Sequence, residues 1–336
     1  METFIIAEIG VNHNGDVQLA EKLIKEMAKA GCNAVKFQTF QTKNLVTRTA
    51  EKAAYQKSNI GTSESQFDML KKLELSESEF FYLKSICEQN SVEFMSTPFD
   101  ESSVDMLEKI GVLRYKLSSG DITNKRLLQY VARTEKPMIL STGMCDLEEI
   151  KEAISWVKEI GNNKITLLHC TSNYPARFED INMNALQNMK KFFGLPVGYS
   201  DHTKGTEIST MAVALGASVI EKHVTISKEL PGPDHQASLD IAEFRQMVKS
   251  IRNIEKAFGN GEKTAAENEY NTRMVARKSI VVTRNLPEGH VLKAEDLDIK
   301  RPGDGIPPKY LDLLPGKKLL KNATEDTTLY FEDIEQ

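Results

Sequence analysis

The sequence has no long hydrophobic run, no paired-cysteine spacing and no excess of positive charge, and each absence removes a class of protein. Its opening apolar run, Phe4-Ile5-Ile6-Ala7, is far shorter than a signal-peptide core or a membrane span and stops at Glu8, so the chain reads as soluble and cytoplasmic. Cys32, Cys87, Cys145 and Cys170 are scattered without a Cys-x-x-Cys pair, which suits free buried thiols better than a disulfide framework or a zinc cluster. With 43 lysines and arginines against 48 aspartates and glutamates, the net charge is −5, and there is no electrostatic reason to expect nucleic-acid binding. Nucleotide fingerprints are missing as well. Residues 10–15 read Gly-Val-Asn-His-Asn-Gly and have neither the Gly-x-Gly-x-x-Gly nor the Walker spacing. Asn12 and Asn14 are expected to shape a turn there, with His13 supporting the site or neighbouring a helix cap.

What is present is a repeat. Short aliphatic and β-branched runs at 4–10, 34–39, 93–99, 114–120, 138–143, 165–170, 196–202 and 218–225 alternate with amphipathic segments such as 17–30 and 147–160. Eight strands alternating with helices predict an α/β fold, a closed parallel (β/α)8 TIM barrel over residues 1–258. Nearly every run ends in a residue that can do chemistry: Glu8, Lys36 and Gln38, Ser96 and Thr97, Lys116 and Ser119, Ser141 and Thr142, His169, Ser200 to His202, and Glu221 to His223. One polar strand end is ordinary loop capping, but eight in phase mark the carboxyl-end face where βα loops build a barrel's active site. The long polar stretch after Thr39, with Gln41, Asn44, Tyr55, Gln56 and Asn59, reads as a lid or substrate loop ahead of a helix near 64–73. Residues 259–275 read as a charged linker, and 276–336, broken by Pro and Gly, as a small second domain with strands at 279–283 and 297–300.

His202 and His223, at the ends of two neighbouring strands, suit a divalent metal, because neutral imidazole nitrogen binds Mn, Co or Zn near pH 7. Two protein nitrogens leave coordination positions open for a substrate carbonyl or a water, as a Lewis-acid role requires. Lys36, Lys116, Ser119, Ser141 and Ser200 form a plausible cradle for phosphate or carboxylate. Glu8, Asp201 and Glu221 are available for proton handling, and the rigid loop 230–235 can hold Asp234 over the pocket. The combination suits aldol-like carbon–carbon bond formation between a phosphorylated anion and a polarised carbonyl.

Several stretches together carry a family resemblance: 6–15 (Ile-Ala-Glu-Ile-Gly-Val-Asn-His-Asn-Gly), 35–40 (Val-Lys-Phe-Gln-Thr-Phe), 96–100 (Ser-Thr-Pro-Phe-Asp), 141–144 (Ser-Thr-Gly-Met), 199–203 (Tyr-Ser-Asp-His-Thr), 221–223 (Glu-Lys-His) and 232–235 (Gly-Pro-Asp-His). The chain resembles the N-acetylneuraminate (sialic acid) synthases, which include legionaminic acid synthases, over nearly its whole length. Its last segment, with Lys300 to Ile306, is similar to their antifreeze-like (SAF) domain. The resemblance implies phosphoenolpyruvate and an N-acetylated mannose-type sugar as substrates, and a divalent cofactor, Mn2+ with Mg2+ or Co2+ as substitutes, on His202 and His223. It implies phosphoenolpyruvate-binding roles for Lys36, Lys116, Ser119, Ser141, Asn173 and Ser200. Gln38, Asn59, Tyr174, Glu221, Asp234 and Arg301 match positions near the sugar; Thr97 falls within a matching strand end, and Glu8 takes a carboxylate role. It further implies a domain-swapped homodimer with Arg301 acting in trans, and release of phosphate by C–O cleavage. The expected product is N-acetylneuraminate from N-acetylmannosamine, the alternative legionaminic acid from 2,4-diacetamido-2,4,6-trideoxymannose. Readings from other classes are a non-catalytic polysaccharide-assembly protein and ice binding by the last domain; the retained histidines, lysines and Arg301 oppose the first, and the Lys and Asp content of that domain the second.

Overall fold

The computed structural model describes residues 2–53, 56–57 and 64–335, so Tyr55 and Asn59 of the long loop lie outside the described residues. The chain divides into two compact units, Met1–Phe258 and Gly259–Gln336.

The first unit is a (β/α)8 barrel. Its strands are β1 (Phe4–Gly10), β2 (Ala34–Thr39), β3 (Glu93–Pro98), β4 (Tyr115–Leu117), β5 (Met138–Ser141), β6 (Ile165–Cys170), β7 (Val197–Asp201) and β8 (Val219–His223). They pair in parallel in the order β3-β2-β1-β8-β7-β6-β5-β4, and β3 lies beside β4 to complete the ring. Period-two alternation then sorts the side chains. Ile6, Ala34, Met95, Ile139, Leu168 and Val219 form an apolar plug of their own inside the ring. Ile5, Ala7, Val35, Phe37, Leu140, Leu167 and Ile220 belong instead to the larger core shared with the helices. Counting two residues on from the plug gives Glu8, Lys36, Thr97, Ser141, Cys170 and Glu221. The plug therefore sets the phase that brings the polar strand ends to one mouth.

The surrounding helices start on side-chain caps: Asp16, Asp100, Asp146 and Asp240 each accept hydrogen bonds from first-turn amides. In Val17–Ala30 the buried residues Ala20, Leu23, Ile24, Met27 and Ala30 recur at helical spacing and press on the strands. Two elements of this unit differ from the sequence expectation. Strand β4 is three residues long because Ser118 bonds Asp121 and residues Ser119–Asp121 turn into a short 3-10 helix. The loop after β2 carries a short helix, Thr42–Leu45, and the next described helix is Gln66–Lys71.

In the second unit, β9 (Ser279–Val282) pairs antiparallel with β10 (Leu297–Lys300) over a core that includes Ile280, Val282, Leu292, Ile306 and Leu329. The stretch read as a linker, 259–275, ends in a helix, Tyr270–Ala276, that runs one residue past it. No helix among the described residues is long and apolar enough to cross a membrane.

Candidate active site

A cavity of about 370 Å³ opens at the carboxyl ends of the barrel strands. It is lined by Glu8, Lys36, Gln38, Thr97, Lys116, Ser119, Ser141, Tyr174, Ser200, His202, Glu221, His223 and Asp234. Of the other residues singled out from the sequence, Asn173 is exposed and is not among the lining residues; its Oδ1 accepts from the Tyr174 amide. Asn59 lies outside the described residues, and Arg301 is an exposed residue of the second unit. Asp201 does not face the cavity. It is fully buried against Lys222 and Ser209, so its expected availability for proton handling is corrected.

The floor of the cavity is a network of two lysines and two glutamates, all nearly inaccessible to solvent. Lys36 Nζ lies 2.7 Å from Glu8 Oε2 and 3.8 Å from Glu221 Oε2, and it donates to Thr97 Oγ1. Lys116 Nζ donates to Glu221 Oε1 at 3.1 Å, and Ser200 Oγ to the same oxygen at 3.0 Å. Burial alone would raise the Glu221 carboxyl, but Lys116 and Lys36 overcome it and hold the group at about 2. For Glu8, burial and the nearby Glu221 charge win against Lys36 and raise it above the usual carboxylate range. The neighbouring charges of Glu221 and Glu8 raise Lys36 despite burial, so it stays a cation. Gly10, at φ +55°, makes this packing possible: a Cβ there would sit 3.1 Å from Glu8 Oε1 and 3.2 Å from Gln38 Nε2.

Beside this network stand two imidazoles with ring centroids 5.7 Å apart, and the Tyr174 ring lies 4.1 Å from that of His202, tilted by 32°. Burial lowers His202 to about 4 and His223 well below the ordinary imidazole range, so both are neutral near pH 7. His202 Nδ1 donates to the Thr171 carbonyl at 2.7 Å, which fixes the proton there and leaves the lone pair on Nε2. His223 Nδ1 is buried with no hydrogen-bond partner. A neutral imidazole fixed through Nδ1, its Nε2 3.4 Å from Ser200 Oγ, with a second neutral imidazole beside it, suits a divalent ion. No group of three or more His, Cys, Asp or Glu among the described residues could hold one, so the protein's share would be these two nitrogens.

Asp234 hangs over the cavity from the loop after β8, and the Asn12-His13-Asn14 segment holds that loop. Asn12 Nδ2 donates to the Val224 carbonyl and to Ser238 Oγ, which in turn donates to the Asp234 carbonyl. Asn14 Nδ2 donates to the Pro231 carbonyl, and its Oδ1 meets His235 Nε2. His13 turns away, burying its ring near Phe37 and accepting from the Gly15 amide. Asp234 Oδ1 has no hydrogen-bond partner, and burial, with the Glu8 charge, pushes the group up to about 7.

The sign of that shift gives a stability prediction. A carboxyl raised from 3.8 to about 7 binds more protons folded than unfolded, so its unfavourable contribution grows as pH rises from about 4 to about 7. Asp234→Asn is therefore expected to be more stable than the parent at pH 8, by on the order of 1–4 kcal/mol, and so to melt higher, with the two converging near pH 4. Calorimetric scans of both proteins across that range check it; equal melting at pH 8 would mean the carboxylate is not destabilising.

The apolar wall of the cavity was not foreseen. Val11, Met69, Leu70, Leu73 and Phe99 line it and belong to a hydrophobic cluster separate from the barrel core. Three of the five come from 69–73, in and just after a helix expected from the sequence, but nothing in that helix's pattern distinguishes a cavity wall from ordinary core. Ser118 and Ser172 also line the cavity: Ser118 directly follows β4, which ends earlier than the pattern suggested, and Ser172 lies two residues beyond the end of β6, which has the expected bounds.

Residues 23–263 match the NeuB family, and residues 277–335 match the SAF domain. An N,N'-diacetyllegionaminic acid synthase of Legionella pneumophila is 49% identical over 100% of this chain and 95% of its own length. One of Campylobacter jejuni is 45% identical over 97% of this chain and 98% of that protein. The crystal structure of an N-acetylneuraminic acid (sialic acid) synthetase from Leptospira borgpetersenii superposes with a TM-score of 0.70 at 36% identity, over 81% of this chain and 90% of that one.

Proposed function

The chain belongs to the NeuB family, and we propose that it condenses phosphoenolpyruvate with the open-chain aldehyde of an N-acetylated mannose-type sugar, releasing phosphate and a nonulosonic acid. The observation that carries this reading is the cavity itself: two neutral imidazoles beside two buried lysines, at the mouth of one barrel.

In this reading Lys116, Ser119, Ser141 and Ser200 bind phosphoenolpyruvate, with Lys36 neutralising charge from the side of β2. His202 and His223 would hold a divalent ion, Mn2+ or a close substitute, which when bound supplies Lewis acidity to the sugar carbonyl. Gln38 and Tyr174 orient the sugar. The C3 carbon of phosphoenolpyruvate forms the new bond to the aldehyde carbon, and the aldehyde oxygen takes a proton. The positive charge left at C2 is stabilised by Glu8 and Glu221 and captured by water, whose proton passes to a carboxylate. Collapse of that adduct breaks the bond between C2 and the bridging oxygen, so phosphate departs with that oxygen. Asp234, poised near 7 with Oδ1 unpartnered, is suited to exchanging a proton at neutral pH.

For the sugar, the diacetamido-trideoxy reading is favoured over N-acetylmannosamine. The two legionaminic acid synthases are 49% and 45% identical to this chain, against 36% for the sialic acid synthetase. The wall of Val11, Met69, Leu70, Leu73 and Phe99 offers a 6-methyl group an apolar surface. One such difference is worth about 1–3 kcal/mol, so kcat/KM for 2,4-diacetamido-2,4,6-trideoxymannose is expected to exceed that for N-acetylmannosamine by roughly tenfold or more. Side-by-side turnover decides: a preference for N-acetylmannosamine would reinstate the sialic acid product.

A further inference from the structure

Strands β7 and β8 carry the proposed chemistry on one face and an ion pair on the other. Ser200 is in register with Glu221, and Asp201 with Lys222. The Ser200 and Glu221 side chains meet in the cavity at 3.0 Å. Asp201 and Lys222 point the opposite way, toward helix Glu207–Ala214, and neither side chain is exposed at all. Lys222 Nζ reaches Asp201 Oδ2 at 2.9 Å and donates to the Thr203 carbonyl at 2.6 Å. Asp201 Oδ2 also accepts from Ser209 Oγ at 2.7 Å, and Oδ1 accepts from the Thr203 amide and hydroxyl.

Stability does not explain such a pair. Removing two charges from water costs several kcal/mol per ion, and a well-packed apolar pair of similar volume is often as stable or more so. What an apolar pair lacks is direction. These bonds fix the separation and register of the two strands at the one rung between Ser200 and Glu221 below and His202 and His223 above. They also tie that rung to the backbone at Thr203, directly after His202.

We propose that Asp201 and Lys222 are positioning residues that set the spacing of His202 and His223 from the outer face of the barrel. The proposal rests on reading those histidines as the nitrogen donors for a divalent ion. They touch no substrate; they act through the strand ends.

The test compares the parent with Asp201→Leu/Lys222→Met, which replaces the pair with apolar volume, and with Ser209→Ala, which removes one bond to Asp201. Mn2+ binding is read by electron paramagnetic resonance, and thermal stability separately. The double variant is expected to melt within a few degrees of the parent yet bind Mn2+ about 10- to 100-fold more weakly, the range typical for loss of groups that orient metal ligands. Ser209→Ala should show a smaller weakening, with melting lowered by the loss of one hydrogen bond to a buried carboxylate. An unchanged Mn2+ dissociation constant in the double variant would overturn the positioning role, whatever its melting temperature. Should the double variant not fold, an unchanged constant in Ser209→Ala overturns it. If the parent shows no Mn2+ binding that His223→Ala removes, the metal reading itself fails, a result distinct from a parent that binds and a variant that binds equally well.

Discussion

His202→Ala and His223→Ala should each reduce turnover by at least about 10³-fold while the barrel still melts cooperatively near the parent temperature. The two rings stand at the cavity, outside the hydrophobic clusters that hold the barrel together, so their loss removes nitrogen donors and little packing. His202 is already committed through Nδ1 to the Thr171 carbonyl, and because Thr171 is only half-buried, an alanine would leave that carbonyl to water, a modest cost. Chelation of the parent should reproduce the loss, and added Mn2+ should restore it. Full activity after thorough chelation, or a tenth or more of it in either variant, would remove the metal from the account.

Lys116→Ala is expected to be nearly as severe, by a different route. This lysine compensates Glu221, which holds its proton-free form against burial only because Lys116 and Lys36 surround it. Truncating one partner of a buried charge pair costs about 2–5 kcal/mol, much of it for the charge left behind. An incoming phosphoenolpyruvate anion would then meet Glu221 without its counter-charge. A fall of about 100- to 1000-fold in kcat/KM for phosphoenolpyruvate should follow, chiefly through KM, with Lys116→Arg giving little rescue because the planar guanidinium cannot occupy the ammonium's place. Steady-state kinetics on both variants measures this, and a KM within threefold of the parent would move phosphoenolpyruvate away from Lys116.

The barrel and most of the cavity were legible because period two is strict in a buried strand. Once Ile6, Met95 and Ile139 face inward, Glu8, Thr97 and Ser141 must follow them to the mouth, and the sequence displays that phase directly. The same rule, applied one residue out of phase, explains Asp201: it sits in a motif between Ser200 and His202, yet alternation sends it to the helices. Asn173 was carried in by resemblance alone, and no periodicity governs the loop it occupies, where its side chain caps its own backbone. The wall formed by Met69, Leu70 and Leu73 was not legible at all, since an apolar helix face looks the same in sequence whether it covers core or substrate. The role of Asn12 and Asn14 in holding the Asp234 loop depends on contacts more than 200 residues apart, such as His235 to Asn14 at a separation of 221, which no local pattern reports.

The central claim is a condensation in which the bond between C2 and the bridging oxygen of phosphoenolpyruvate breaks. Phosphoenolpyruvate carrying 18O at that bridging oxygen, incubated with the protein, Mn2+ and 2,4-diacetamido-2,4,6-trideoxymannose, tests it directly by mass spectrometry of the products. The expected result is one labelled phosphate released for each nonulosonic acid formed; unlabelled phosphate, or no consumption of phosphoenolpyruvate with any N-acetylated mannose-type sugar, would contradict it.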